Sequence, residues 1–253
     1  MQGAANMSYQ GKQFQRRDPT FTVNIVGDTP REWRELDSAF RMALGMYDEQ
    51  FHLMVETEDS TRHLDLRLLQ DPTPWENGPW ESGRDSHNLR ASTLLVPAAA
   101  EQPFWYADDL VFTWSTDTGN GSVTFPYENR GDVIVWPKYF VNAPLASLEL
   151  PDKSWGQEVA YQRPPGADTN HTITVVDLRA GEDSDIDSDP DEEFIVAANR
   201  APVWARQQEA LIYPIAPKTL PTDCTITISG ANPGAGVTVT IPRRYSRPIG
   251  VSV

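Results

Sequence analysis

One amphipathic helix stands near the start of this chain, and nothing after it sustains a helical stripe. Thr29-Pro-Arg-Glu32 opens that helix. Thr29 supplies a side-chain cap, and Pro30 suits the first helical position, where a backbone N–H has no partner in any case. Glu32, three residues past the cap, completes a capping box. Trp33, Leu36, Phe40, Ala43 and Leu44 follow at helical spacing, and Gly45 ends the stripe. Such a stripe is expected to lie on a sheet.

The other segments are short and extended. Phe21, Val23 and Ile25 alternate with polar residues, as in a half-buried strand. Phe51, Leu53 and Val55 face Leu64, Leu66 and Leu68 across a hairpin. Pairing Val55 with Leu64 and Leu53 with Leu66 keeps the apolar residues on one face. The loop is then Glu58 to Thr61, and Glu56 lies opposite His63. Ala91–Val96 and Leu110–Ser115 are two further strands, and Thr116–Gly121, small and polar, is the expected linker. Beyond it short strands recur: 122–127, 133–141, 145–150, 157–162, 171–178, 194–197, 210–215, 224–229 and 237–241. Even spacing of that kind indicates a sandwich or barrel. The expected fold is mainly β with one helix: a strand–helix–β domain over residues 1–117, then a β-sandwich over 118–253. The Trp- and Pro-rich stretch from Pro72 to Asn88 is long for a structureless connection, and Trp75 and Trp80 should find a partner, either within the protein or on a neighbouring subunit.

Charge and composition exclude several classes. The chain has 253 residues, with 36 acidic against 21 basic side chains, a net charge of −15. An acidic surface repels phosphate backbones, so no nucleic-acid partner is expected. No apolar run approaches the roughly 20 residues of a membrane span, and Met1 to Asp18 has no signal-peptide core. The single Cys224 excludes an internal disulfide, and its β-pattern suits a packed residue better than a nucleophile.

Catalytic patterns are missing. There is no Gly-x-Ser-x-Gly elbow. Gly230 to Gly236 lies between two strands, whereas a phosphate cradle precedes a helix. His52 and His63 share a hairpin face with Glu56 and Asp65. A metal site there needs three or four oriented ligands, so the reading taken is a solvated face with a Glu56–His63 pair. Glu182 to Glu193 carries eight acids in twelve residues. Its alternating Asp residues match the front of an EF-hand loop, but Ser188 stands where Gly is needed and Phe194 where Glu is needed. The run is therefore expected to be a solvated hairpin tip, tolerant of neutralisation. No catalytic, cofactor or metal residue is assigned.

The last seventy residues carry the sharpest pattern. Asp187-Ser-Asp-Pro190 precedes Phe194-Ile-Val; then come Val203-Trp-Ala205, Leu211-Ile-Tyr-Pro-Ile-Ala-Pro217, Ala231-Asn-Pro-Gly-Ala-Gly-Val237 and Ile241-Pro-Arg-Arg-Tyr-Ser-Arg-Pro248. This series resembles the C-terminal domain of distal tail proteins, or minor tail proteins, of siphophages, closest in style to those of actinobacterial phages. Asn129-Arg-Gly-Asp132 with Trp136-Pro137 looks like that domain's opening strand. The strand at 21–26, the capped helix and Pro103-Phe-Trp-Tyr106 look like the family's N-terminal domain. Ile249 stands where related chains often carry Trp.

The resemblance implies a virion protein of the tail tip, assembled in the host bacterial cytoplasm. It implies a homo-oligomer, a hexameric ring made by the N-terminal domain, with the tail tube protein and the tail-tip hub protein as partners. The C-terminal domain would be a galectin-like sandwich facing outward. Trp33, Trp75, Trp80, Arg31 and Arg34 are the candidate inter-subunit contacts; Arg16, Arg17, Arg243 and Arg244 stand where subunits are expected to meet. The alternative is a carbohydrate-binding module for host adsorption, with Trp136 or Trp204 stacking on sugar. Both tryptophans lie in or beside expected strands and read better as core. A hydrolase has no supporting motif.

Overall fold

The computed structural model describes residues 15–74 and 85–250. The chain is mainly β and divides into two compact units. One holds residues up to 54 together with 63–104; the other holds 55–62 and everything from 105 onward.

The first unit contains β1 (Thr20–Val26), α1 (Pro30–Ala43), β2 (Phe51–Glu56), β3 (Thr61–Leu68), β4 (Thr73–Pro74), α2 (Ser86–Leu89) and β5 (Ala91–Ala99); the far end of the β2–β3 hairpin groups with the second unit. β1 runs antiparallel to β5, with Phe21 opposite Val96 and Val23 opposite Leu94. α1 begins as the sequence predicts. Thr29 is extended and its hydroxyl accepts the Glu32 N–H at 3.2 Å. The Glu32 carboxylate reaches back one residue further than expected, accepting the Asp28 N–H at 2.9 Å. Gly45, at φ +67°, closes the helix, a left-handed conformation that costs glycine little. Leu44 and Phe40 pack with Leu68, Val96, Phe21 and Val23. Gly27 lies against the first turn of α1, where an added Cβ would come within 2.5 Å of the Trp33 nitrogen.

The β2–β3 hairpin has a tighter turn than its sequence suggests. Thr57 N–H bonds to the Ser60 carbonyl at 2.9 Å, leaving Glu58 and Asp59 as a two-residue loop. His52 accordingly meets Asp65, and the expected Glu56–His63 pairing gives way. Pairing has moved by an even number of residues, so the apolar face is unchanged and apolarity alone does not distinguish the two registers.

The second unit is a β-sandwich. Its strands are β6 (Trp105–Ser115), β7 (Gly121–Asn129), β8 (Lys138–Val141), β9 (Ser147–Pro151), β10 (Thr172–Val175), β11 (Ser184–Asp187), β12 (Ile195–Ala197), β13 (Thr219–Ser229) and β14 (Gly236–Tyr245). Within this unit one sheet runs β6-β14-β8-β11-β12, and the other β10-β9-β13-β7. Alternate residues fill the core, including Cys224, Ile226 and Ile228 from β13 with Val237, Val239 and Ile241 from β14. Threonine and serine pairs bond across strands on exposed positions: Ser122 with Thr227 at 2.9 Å, Thr124 with Thr225 at 3.0 Å. Pairs of this kind each contribute about 0.2–1 kcal/mol.

Several expectations are corrected. Thr116–Gly121 is a packed turn rather than a flexible connection: Thr116 is buried, and its hydroxyl donates to the Asn120 carbonyl at 2.8 Å. Residues 158–161 form a 3-10 turn instead of a strand. Residues 210–215 pair only at Ile215, with Val135. There the buried Asp152 carboxylate accepts the Ile212 and Tyr213 N–H groups, so a side chain does the work of a neighbouring strand. Trp204 is 60% exposed, because Val203 takes the inward position of its short turn. Trp136 is half-buried.

The acidic run is the largest correction. It contains β11, in which Ser184 and Ile186 point inward and Asp185 and Asp187 do not. Asp183 accepts the Ala143 N–H at 2.6 Å, Asp187 pairs with Lys138 at 2.7 Å, and buried Glu182 pairs with Arg206. Half of the run is therefore built into the sandwich.

Candidate functional site

α1 is largely exposed. None of its fourteen residues is fully buried. Trp33 turns inward, half-buried, with its indole Nε1 donating to Ser92 Oγ at 3.0 Å. Asp37 is half-buried as well and holds Arg41 at 2.9 Å; Arg41 also donates to the Pro72 carbonyl at 3.1 Å. The inward line is thus Trp33, Asp37, Phe40 and Leu44, which recur at three or four residues.

Leu36 and Ala43, expected on that line, fall to its side and are exposed. With Ala39 and Met42 they form an apolar strip along the helix; Leu36 is 43% and Met42 78% exposed. Met46 and Tyr47, also exposed, follow just beyond the helix end. A shallow groove beside the strip is lined by Arg31, Arg34, Glu35, Ser38, Ala39 and Met42. Arg31 pairs with Glu35 at 2.8 Å. An apolar strip edged by arginines has the composition of a protein–protein contact, where Arg and Met are enriched.

Of the residues singled out from sequence, Arg31 and Arg34 therefore line the exposed groove and Trp33 is directed into the unit. Trp75 and Trp80 lie outside the described residues. Arg16 pairs with Asp18 at 2.8 Å, and Arg244 approaches Asp189 at 3.9 Å.

A second cluster sits on the polar face of the hairpin. His52 Nδ1 is 2.7 Å from Asp65 Oδ1, and His63 Nε2 is 3.8 Å from the same oxygen. The two imidazole rings stand edge to face, 5.6 Å between centroids. The sequence carries no clear signal for this juxtaposition, because Glu58-Asp59 lacks the glycine that marks a two-residue turn.

The fold of the chain is similar to that of a solved phage protein. It matches the crystal structure of Dit (gp 19.1) of phage SPP1, described as a paradigm of the hub adsorption apparatus in phages infecting Gram-positive bacteria. The TM-score is 0.52 at 14% identity, covering 92% of this chain and 80% of that one. At that identity the likeness is one of fold. In sequence, the chain is similar to the minor tail protein Gp27 of Mycobacterium phage D29, 28% identical over 285 residues. Gp27 of Mycobacterium phage L5 is 27% identical over 291 residues. In both cases 94% of this chain and 82% of the relative are covered. No protein-family model matches the chain.

Proposed function

We propose that this protein is a distal tail subunit of a long-tailed bacteriophage, a structural virion protein that forms a ring between the tail tube and the tail-tip hub. The ring is hexameric and is built by the N-terminal domain, read from sequence as residues 1–117, while the domain read from sequence as residues 118–253 carries the galectin-like sandwich, to which β6 also contributes. Two minor tail proteins that match along nearly the whole chain support the role, and the likeness to Dit supports the architecture. The observation that carries the assembly is α1. A helix with no fully buried residue and a lateral apolar strip gains stability when a second copy covers it. The role requires no catalysis, and none is assigned.

Size-exclusion chromatography with light scattering tests the ring. The expected result is a closed oligomer of six chains, with labelled antibody placing the protein at the tail tip of virions. A monomer at all concentrations, in a protein absent from the tail tip, would overturn the reading.

A second reading, glycan binding at the host surface, draws on a cavity of about 360 Å3 in the sandwich. Trp155 lines it beside Lys153, Glu158 and Asp168, a ring face next to charged hydrogen-bonding groups. Binding on a glycan array that is lost in Trp155→Ala would support this role; an array with no hits would remove it.

A further inference from the structure

We propose that His52, His63 and Asp65 form a binding site for a divalent transition metal ion of the zinc class. This is independent of the tail role and follows from the hairpin alone.

Each of the three side chains offers one ligand atom, and these atoms all lie within 4.8 Å of one another. A tetrahedral ion with bonds of about 2.0–2.2 Å separates its ligand atoms by roughly 3.3 Å. The observed separations of 2.7 Å and 3.8 Å to Asp65 Oδ1 bracket that spacing. Small side-chain rotations suffice to admit the ion. Two imidazole nitrogens and one carboxylate oxygen select zinc, cobalt or nickel over calcium or magnesium, which favour all-oxygen sites.

His63 also brings its Nε2 toward the oxygen that His52 contacts, from the same strand as Asp65 and two residues away. Alternation along β3 puts His63 and Asp65 on one face, and the two-residue turn brings His52 on β2 to meet them. All three are partly exposed, so an ion reaches them without any opening of the fold. On binding, the ion takes the place of the proton between His52 Nδ1 and Asp65; a neutral imidazole then carries its proton on Nε2, through exchange with solvent, and an imidazolium releases one proton to solvent. Three protein ligands leave a fourth position for water. The bound ion would link β2 to β3 and hold the hairpin in the observed register.

The test uses the full chain, stripped with chelator and titrated with zinc chloride by calorimetry and with cobalt chloride by visible absorption. The expected result is one ion per chain, with cobalt bands of a four-coordinate site. His52→Gln and His63→Gln should each weaken binding at least about tenfold. His87→Gln, away from the cluster, should leave it unchanged. Zinc should raise the melting temperature of the wild-type chain and not that of the two cluster variants. Circular dichroism identifies any variant that fails to fold, and the wild-type cobalt spectrum then decides. No saturable binding, no four-coordinate bands, or equal binding by wild type and folded cluster variants would overturn the proposal.

Discussion

The indole Nε1 of Trp33 donates to Ser92 Oγ at 3.0 Å, tying the first turn of α1 to the Val26–Ala91 end of the β1–β5 pair. Ser92 is 8% exposed, so no solvent replaces it readily. Ser92→Ala leaves the indole N–H without its partner and should cost about 1 kcal/mol. Denaturant unfolding measures it. The slope should stay constant while the midpoint falls, since the change touches one bond and not the extent of the fold.

The outward strip of α1 makes a different prediction. Leu36→Glu and Met42→Glu place charge on positions already in solvent in the single chain. Stability of the isolated chain should change by no more than about 0.5 kcal/mol. The proposed oligomer should dissociate, because burying each new carboxylate against a second copy is unfavourable. Light scattering and thermal unfolding on the same samples separate the two effects. An intact oligomer in both variants would move the contact away from this face.

Much of this architecture was legible in the residues. The Thr29 cap, the Pro30 start and the Gly45 stop announce α1 because each has a local cause. β1, β5 and β13 show themselves through alternation. β11 was hidden because its inward positions, Ser184 and Ile186, are set among aspartates that dominate any reading of charge. The hairpin register was hidden because apolar period two is blind to a shift of two. Leu36 and Ala43 looked inward because a stripe at helical spacing is wider than the line of contact a single sheet makes. The proposed subunit contact draws on that excess apolar width, and which residues the exposed strip includes emerges only once the helix is placed.

Cys224 lies on β13 opposite Phe125, fully enclosed by the sandwich core. Burial pushes its thiol up to about 11. The thiolate is the reactive form, so the group is inert near neutral pH. Ellman's reagent should therefore give no reaction with the native chain and one equivalent per chain in denaturant. Rapid labelling of the folded protein would mean that the sandwich opens around β13 far more often than this packing allows.

Part of the acid sensitivity should reside in the inner half of the acidic run. The Arg179 N–H donates to Glu182 Oε2 at 2.8 Å. That bond, opposed by burial and reinforced by Arg206, holds the Glu182 carboxyl below its ordinary value of 4.5. The folded state thus takes up a proton less readily than the unfolded state. The stability this contributes is present above the ordinary value and is lost as pH falls through the depressed folded one. Melting temperature, followed from pH 7 downward, should hold until about pH 5 and then decline. Glu182→Gln should melt lower at pH 7, and its gap from the wild type should narrow as the medium is acidified. Asp185, Asp191, Glu192 and Glu193 are exposed. Amide substitutions at those four should leave the pH 7 melting temperature and the acid profile close to wild type. If instead the outer substitutions reproduced the Glu182 profile, acid sensitivity would belong to the charge of the run as a whole and not to the buried Glu182 pair.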